Sequence, residues 1–150
     1  MNRLKMIKLL REKTNAPLML ISDALREMND DHVAAEKLIH EKMGKRGDHV
    51  ILSREAKHRT VIAYVHHDSS AGALVELRTE TDFAAKNELV QRLGKEIAMT
   101  YAFTDAPGAS WEDMKSIRDP NVTIADLIKD VAAAVGEAIM LEKAVRISNV

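Results

Sequence analysis

Six histidines, a Ser69-Ser70 pair and 23 carboxylates give the chain raw material for metal, nucleophilic or acid–base chemistry. Their spacing assembles none of it. His66 and His67 are neighbours in an alternating segment, which sends adjacent side chains to opposite faces. No His-Glu-x-x-His spacing occurs, so a shared metal is not expected. Ser69 and Ser70 fall in a run of turn residues, their commonest structural use. Gly44-Lys45-Arg46-Gly47 lacks the spacing of a phosphate-binding loop and the Ser or Thr that would hold magnesium. There are no cysteines, which excludes disulfides, thiolate metal sites and thiol nucleophiles. The expectation is therefore a chain with no catalytic residue, no metal and no cofactor, whose carboxylates serve helix starts and charged faces.

Binding is then the class of function to weigh. The formal net charge is −1, which provides no global attraction to nucleic acid or anionic membrane. Aromatic residues make up 3% of the chain and leave few rings for stacking bases. Residues 48–59, with Arg54, Lys57, Arg59 and two histidines, form one local basic stretch, and an RNA-associated factor using it stays open as a minor reading. Arg3, Lys5 and Lys8 are not followed by a continuous apolar run or a small-residue cleavage site, so no secretory signal is expected. No apolar stretch approaches a membrane span. These features, with the missing cysteines, fit a cytoplasmic protein.

The elements that would carry a binding site divide by period. Residues 2–13 put Leu4, Ile7 and Leu10 on one helical stripe. Thr14, Asn15 and Pro17 interrupt it. A second helix carries Leu20, Ile21, Ala24, Leu25 and Met28, and Asn29-Asp30-Asp31 reads as a turn and N-cap. A third carries Ala35, Leu38, Ile39 and Met43, with Gly44 and Gly47 expected to end it. The expected organisation is a three-helix module over 1–47, a linker over 48–59 and a core over 60–150. In the core, Thr60–His66 alternates, with Val61, Ala63 and Val65 on one face and Ile62, Tyr64 and His66 on the other. The run 67–72 is a turn, and a second strand follows over 73–79, giving an antiparallel hairpin.

One long helix is expected from about Thr81-Asp82, burying Val90, Leu93, Ile97 and Tyr101. Asp105-Ala106-Pro107-Gly108 breaks it, and Ser110 to Asp113 has the form of a helix cap. Thr123 to Asp126 repeats that cap before Leu127, Ile128, Val131 and Val135. Gly136 loosens the end of that helix, and Ile139–Ile147 reads as a last strand. The fold class is α+β. By residue type alone, Asp82 is a helix cap and Phe83 a core side chain.

Two segments change that weighting. Leu10-Arg11-Glu12-Lys13-Thr14-Asn15-Ala16-Pro17-Leu18-Met19 resembles the head motif of the elongation factor Ts family, with Asn15 and Pro17 where the family usually has glycine. Val75-Glu76-Leu77-Arg78-Thr79-Glu80-Thr81-Asp82-Phe83-Ala84-Ala85-Lys86-Asn87 resembles its threonine-aspartate-phenylalanine motif, departing clearly only at Arg78 and Ala84. Ala134 to Ile139 is a weaker echo of a glycine-glutamate-asparagine segment. The resemblance runs in the family's order along nearly the whole chain and is closest to the short, single-core form.

The resemblance implies a ubiquitin-associated-like head and an α+β core with a small antiparallel sheet. It implies a guanine nucleotide exchange factor that binds elongation factor Tu and promotes GDP release without covalent catalysis. Leu10, Leu18 and Met19 would contact that GTPase from the head, and Thr81, Asp82 and Phe83 would reach the region supporting magnesium and the phosphate loop. Internal packing competes for Leu10, and evenly for Leu18 and Met19. A homodimer is implied by the short members. A protein that binds the GTPase but does not promote exchange stays open beside these readings.

Overall fold

A computed structural model of the chain describes residues 1–104 and 111–149. The expected breaker at Asp105 to Gly108 and the cap at Ser110 lie outside them. Three helices come first: α1 (Arg3–Thr14), α2 (Leu18–Glu27) and α3 (His32–Ser53). Asn2 caps α1 by accepting the Lys5 N–H, and Asn15 ends it in the left-handed region at φ 54°. That conformation suits glycine or asparagine, so Asn15 preserves a turn for which the family motif uses glycine. Asp31 caps α3 by accepting from Val33 and Ala34, as its place in the Asn-Asp-Asp run implied.

The buried stripe of α1 differs from expectation. Met6, Leu10 and Thr14 face inward at four-residue steps, while Leu4 is 76% exposed. The four-residue line places Met6 over Ile21, Leu25, Ile39 and Met43 in one apolar cluster. Ile7 only flanks that cluster.

The third helix overturns the expected boundary. It passes through both glycines and ends at Ser53, so residues 48–53 are helical and only 54–57 connect α3 to the sheet. Two interior glycines cost a helix about 1 kcal/mol each, and packing outweighs that cost. α3 lies against α6 (Ile124–Val135), and a Cβ built at Gly47 would stand 2.2 Å from the Lys129 carbonyl oxygen. Gly47 is thus a point of close helix approach, not a terminator. Arg46 also donates from Nε to the Ala133 carbonyl at 2.9 Å, and Ala133 itself is buried in the head cluster.

The sheet has three antiparallel strands in the order β1 (His58–Val65), β2 (Ala71–Thr79), β3 (Ile139–Ser148). Alternate residues Ala71, Ala73, Val75, Leu77 and Thr79 of the central strand are buried, with Ile62 beside them. α4 (Asp82–Lys86) and α5 (Glu88–Ala102) follow β2, then a short 3-10 turn at Trp111–Asp113. α5 and α6 cover the inner face, closing a cluster around Val90, Leu93, Ile97, Ile124, Ile128 and Leu141. Tyr101 only flanks it. Thr123 and Asp126 form a reciprocal capping box on α6, and Gly136 ends that helix at φ 73°. The fold is α+β, three helices followed by a helix-packed antiparallel sheet.

Candidate functional site

The single long helix expected from Thr81 is two helices. Asn87 turns extended at ψ 137°, and its side chain accepts the Leu89 N–H to start α5 afresh. This leaves α4 as five residues between β2 and the break. A helix that short does not hold itself together, so its neighbours determine where its side chains point.

Those neighbours are specific. Thr79 is fully buried, and its hydroxyl donates to the Thr81 carbonyl at 2.8 Å. Thr81 is extended, and its own hydroxyl accepts the Ala84 N–H at 3.2 Å. Thr81, not Asp82, is therefore the cap. Asp82 lies in the first turn, where a carboxylate is favoured by the exposed amides, and Lys86 Nζ stands 3.8 Å from it.

Phe83 is 82% exposed, which corrects the reading by residue type that placed it in the core. The inward side of α4 is filled by Ala84 and Ala85. An aromatic side chain left in water forgoes about 1.5–3 kcal/mol of burial. A lone exposed ring at a braced corner is the kind of group that anchors an interface.

The head offers a second surface. Leu18 and Met19 open α2 and are 58% and 79% exposed. Leu10 is fully buried among Met6, Ile21 and Leu25, so it shapes the head and presents no surface to a partner. α2 packs on α1 and α3, whereas α4 packs on α5, β1 and β2. Thr81, Asp82 and Phe83 are thus gathered at one corner beside the sheet, with Leu18 and Met19 at the start of α2 in the three-helix cluster.

Two features were in the sequence but not tied to a site by it. Glu137, just after α6, accepts the Thr81 hydroxyl with both carboxylate oxygens at 3.0 Å. The outer face of the sheet is also apolar at one end, where Ala63, Leu74 and Val145 form one cross-strand row and Val65, Gly72 and Ile147 the next. Val65, Leu74, Val145 and Ile147 are exposed around a trough of about 310 Å³. Its signal was present, since Val61, Ala63 and Val65 are as apolar as the strand's inner face.

His66 and His67 do not diverge as expected: β1 ends at Val65, the chain turns, and the two rings lie 4.2 Å apart. His66 Nδ1 is instead 2.8 Å from the Tyr64 hydroxyl, and its ring meets Phe103 edge-on. Among the described residues no group of three His, Asp or Glu is placed to hold a metal ion. Arg54, Lys57 and Arg59 each face a carboxylate, of Glu80, Glu55 and Glu76 respectively. These three cations therefore form no unpaired basic patch. No helix among the described residues is long and apolar enough to cross a membrane.

Comparison with known proteins finds relatives along most of the chain. The family model described as Elongation factor TS matches residues 80–149, starting one residue before the Thr81 cap. The chain is similar to elongation factor Ts of Fervidobacterium nodosum, 29% identical over 189 aligned positions that cover 95% of each chain. It is 43% identical to that of Acetivibrio thermocellus over 98 positions, 65% of this chain and 45% of the other. It is 35% identical to that of a Nocardioides species over 135 positions, 90% of this chain and 47% of the other. The chain thus spans nearly all of the first relative and about half the length of the other two. Matches that extend through the head and a family model that covers the core from Glu80 through β3 agree on one assignment: the chain belongs to the elongation factor Ts family.

Proposed function

We propose that the chain is a guanine nucleotide exchange factor for elongation factor Tu, binding it and promoting release of its GDP with no covalent step. The observation that carries this reading is Phe83, an aromatic ring held in water on a capped five-residue helix. Family membership supplies the partner. Asp82 and Phe83 press on the region of the GTPase that supports magnesium and the phosphate loop, while Leu18 and Met19 dock the head on the same domain. On this reading the protein works in the cytoplasm.

Exchange of this kind is a coupling of two binding equilibria. If the factor weakens GDP binding by some ratio, GDP weakens the factor's binding by the same ratio. Each 1.4 kcal/mol of antagonism changes affinity about tenfold. The factor must favour the nucleotide-poor conformer, since equal affinity for every state shifts nothing. Release of mant-labelled GDP from elongation factor Tu, measured beside a pull-down, tests the reading. Acceleration together with capture is expected. Capture without acceleration leaves a binding protein that lacks exchange, and absence of both overturns the reading.

A homodimer belongs with this proposal. The Val65, Leu74, Val145 and Ile147 end of the sheet is an aliphatic surface that nothing among the described residues covers. Contiguous exposed aliphatic surface of this kind marks association sites. A second copy is the occupant, because two such faces can pack as the layers of a β-sandwich.

A further inference from the structure

We propose that Glu137 is a positioning residue for Asp82 and Phe83, acting through the Thr81 hydroxyl; this rests on the exchange reading above. Three segments distant in sequence meet at the β2–α4 corner. Glu80 and Thr81 come from the link between β2 and α4, Gly136 and Glu137 from the turn after α6, and Arg54 from the end of α3. Arg54 Nη1 donates to the Gly136 carbonyl at 2.8 Å and stands 3.5 Å from Glu80 Oε2. The turn carrying Glu137 is thereby tied to the segment it acts on.

The chemistry runs through one hydroxyl. Thr81 Oγ1 has one proton and two lone pairs. Its proton goes to the Glu137 carboxylate, bifurcated between two oxygens at 3.0 Å, which leaves a lone pair for the Ala84 N–H at 3.2 Å. A charged acceptor strengthens such a bond, and a donor polarised this way is a better acceptor on its other side. The chain Glu137–Thr81–Ala84 therefore fixes the Thr81 rotamer and the first turn of α4, in which Asp82 and Phe83 sit. The Thr79 hydroxyl holds the Thr81 carbonyl from the other side. Without the carboxylate, the hydroxyl is free to rotate and donate to water, and α4 loses the partner that aims its cap. Phe83 then samples orientations that miss the GTPase.

The experiment compares wild type with Glu137→Ala, Glu137→Gln and Thr81→Val in GDP release across a range of factor concentrations. Hydrogen exchange is followed over residues 82–86, with thermal melts alongside. Glu137→Ala should lower the maximal release rate by roughly three- to tenfold, the size of losing one solvent-exposed hydrogen bond. The half-saturating concentration should shift less, because the head contacts are intact. Amide exchange over 82–86 should quicken while the melting temperature stays close to wild type. Glu137→Gln, which keeps an acceptor oxygen, should recover most of the rate. Thr81→Val should match Glu137→Ala, and combining the two should add little. An active wild type with unimpaired Glu137→Ala overturns the positioning role alone. So does a loss of rate matched by a fall in melting temperature. A wild type that fails to release GDP overturns the exchange reading and this proposal together.

Discussion

Gly47 and Lys129 touch through their backbones: a Cβ at Gly47 would lie 2.2 Å from the Lys129 carbonyl oxygen and 2.8 Å from its Cα. Gly44, one turn earlier on the same helix, has no such neighbour within 4 Å. One glycine is thus required by packing and the other is only tolerated.

The two substitutions to alanine should therefore have opposite signs. Gly44→Ala gains helix propensity and reduces the freedom of the unfolded chain, so it should stabilise by about 0.4–1 kcal/mol. Gly47→Ala gains the same propensity but forces α3 from α6 against backbone that cannot rotate away, a clash that costs about 1–3 kcal/mol. The net should be destabilising. Urea titrations of both variants decide it, and a Gly47→Ala protein as stable as Gly44→Ala would contradict the close approach.

Assembly turns on Leu74. Its side chain is half exposed in the middle row of the outer sheet face, between Ala63 and Val145. Leu74→Lys places a charge at the centre of the proposed dimer surface while disturbing little of the monomer's core. Sedimentation at micromolar concentration should show wild type as a dimer and Leu74→Lys as a 16.7 kDa monomer with a similar melting temperature. Wild type sedimenting at 16.7 kDa under those conditions would rule out this interface.

Asp130 supplies a pH dependence. It is half-buried between α3 and α6 beside His40, Asp119, Asp126 and Lys129. Burial raises its pKa above the ordinary carboxylate value, the charge of Asp126 raises it further, and His40 opposes them. A carboxyl whose folded pKa is raised binds its proton more readily in the native state. Its contribution therefore grows as pH falls through the raised value toward the ordinary one, and is lost as pH rises. Asp130→Asn should melt higher than wild type at neutral pH, with the gap narrowing in mild acid. A gap that widens in acid would show that Asp130 is stabilised as the anion.

Local signals in the sequence were dependable where one short motif determines the geometry. The Thr123–Asp126 capping box, the Asp31 cap and the β1–β2 hairpin are formed as their residues imply. Decisions that depend on distant partners were not legible. Gly44 and Gly47 look like a helix end until α6 is seen lying against them. Phe83 looks like core until Ala84 and Ala85 are seen filling the inward side of α4. Asn87 reads as one more helical residue, but its side chain caps a second helix. Leu10 and Leu18 are close in sequence and alike in chemistry, yet only the packing of α1 against Ile21 and Leu25 puts the first inside. The resemblance singled out Thr81, Asp82 and Phe83 where residue type alone gave a cap and a core ring. The glycine-glutamate echo at Gly136-Glu137 gave no link to the hydroxyl that Glu137 holds, fifty-six positions earlier in the chain.

The account stands or falls on Phe83, and paired measurements on Phe83→Ala test it most directly. A ring 82% exposed contributes little to the core, so the melting temperature should stay close to wild type. A buried phenylalanine would instead cost about 3–5 kcal/mol on truncation. As the anchor of an interface the ring is worth roughly 2 kcal/mol or more. Stopped-flow release of mant-labelled GDP from elongation factor Tu should accordingly slow by more than about tenfold. A folded Phe83→Ala protein that releases GDP at the wild-type rate would contradict the account.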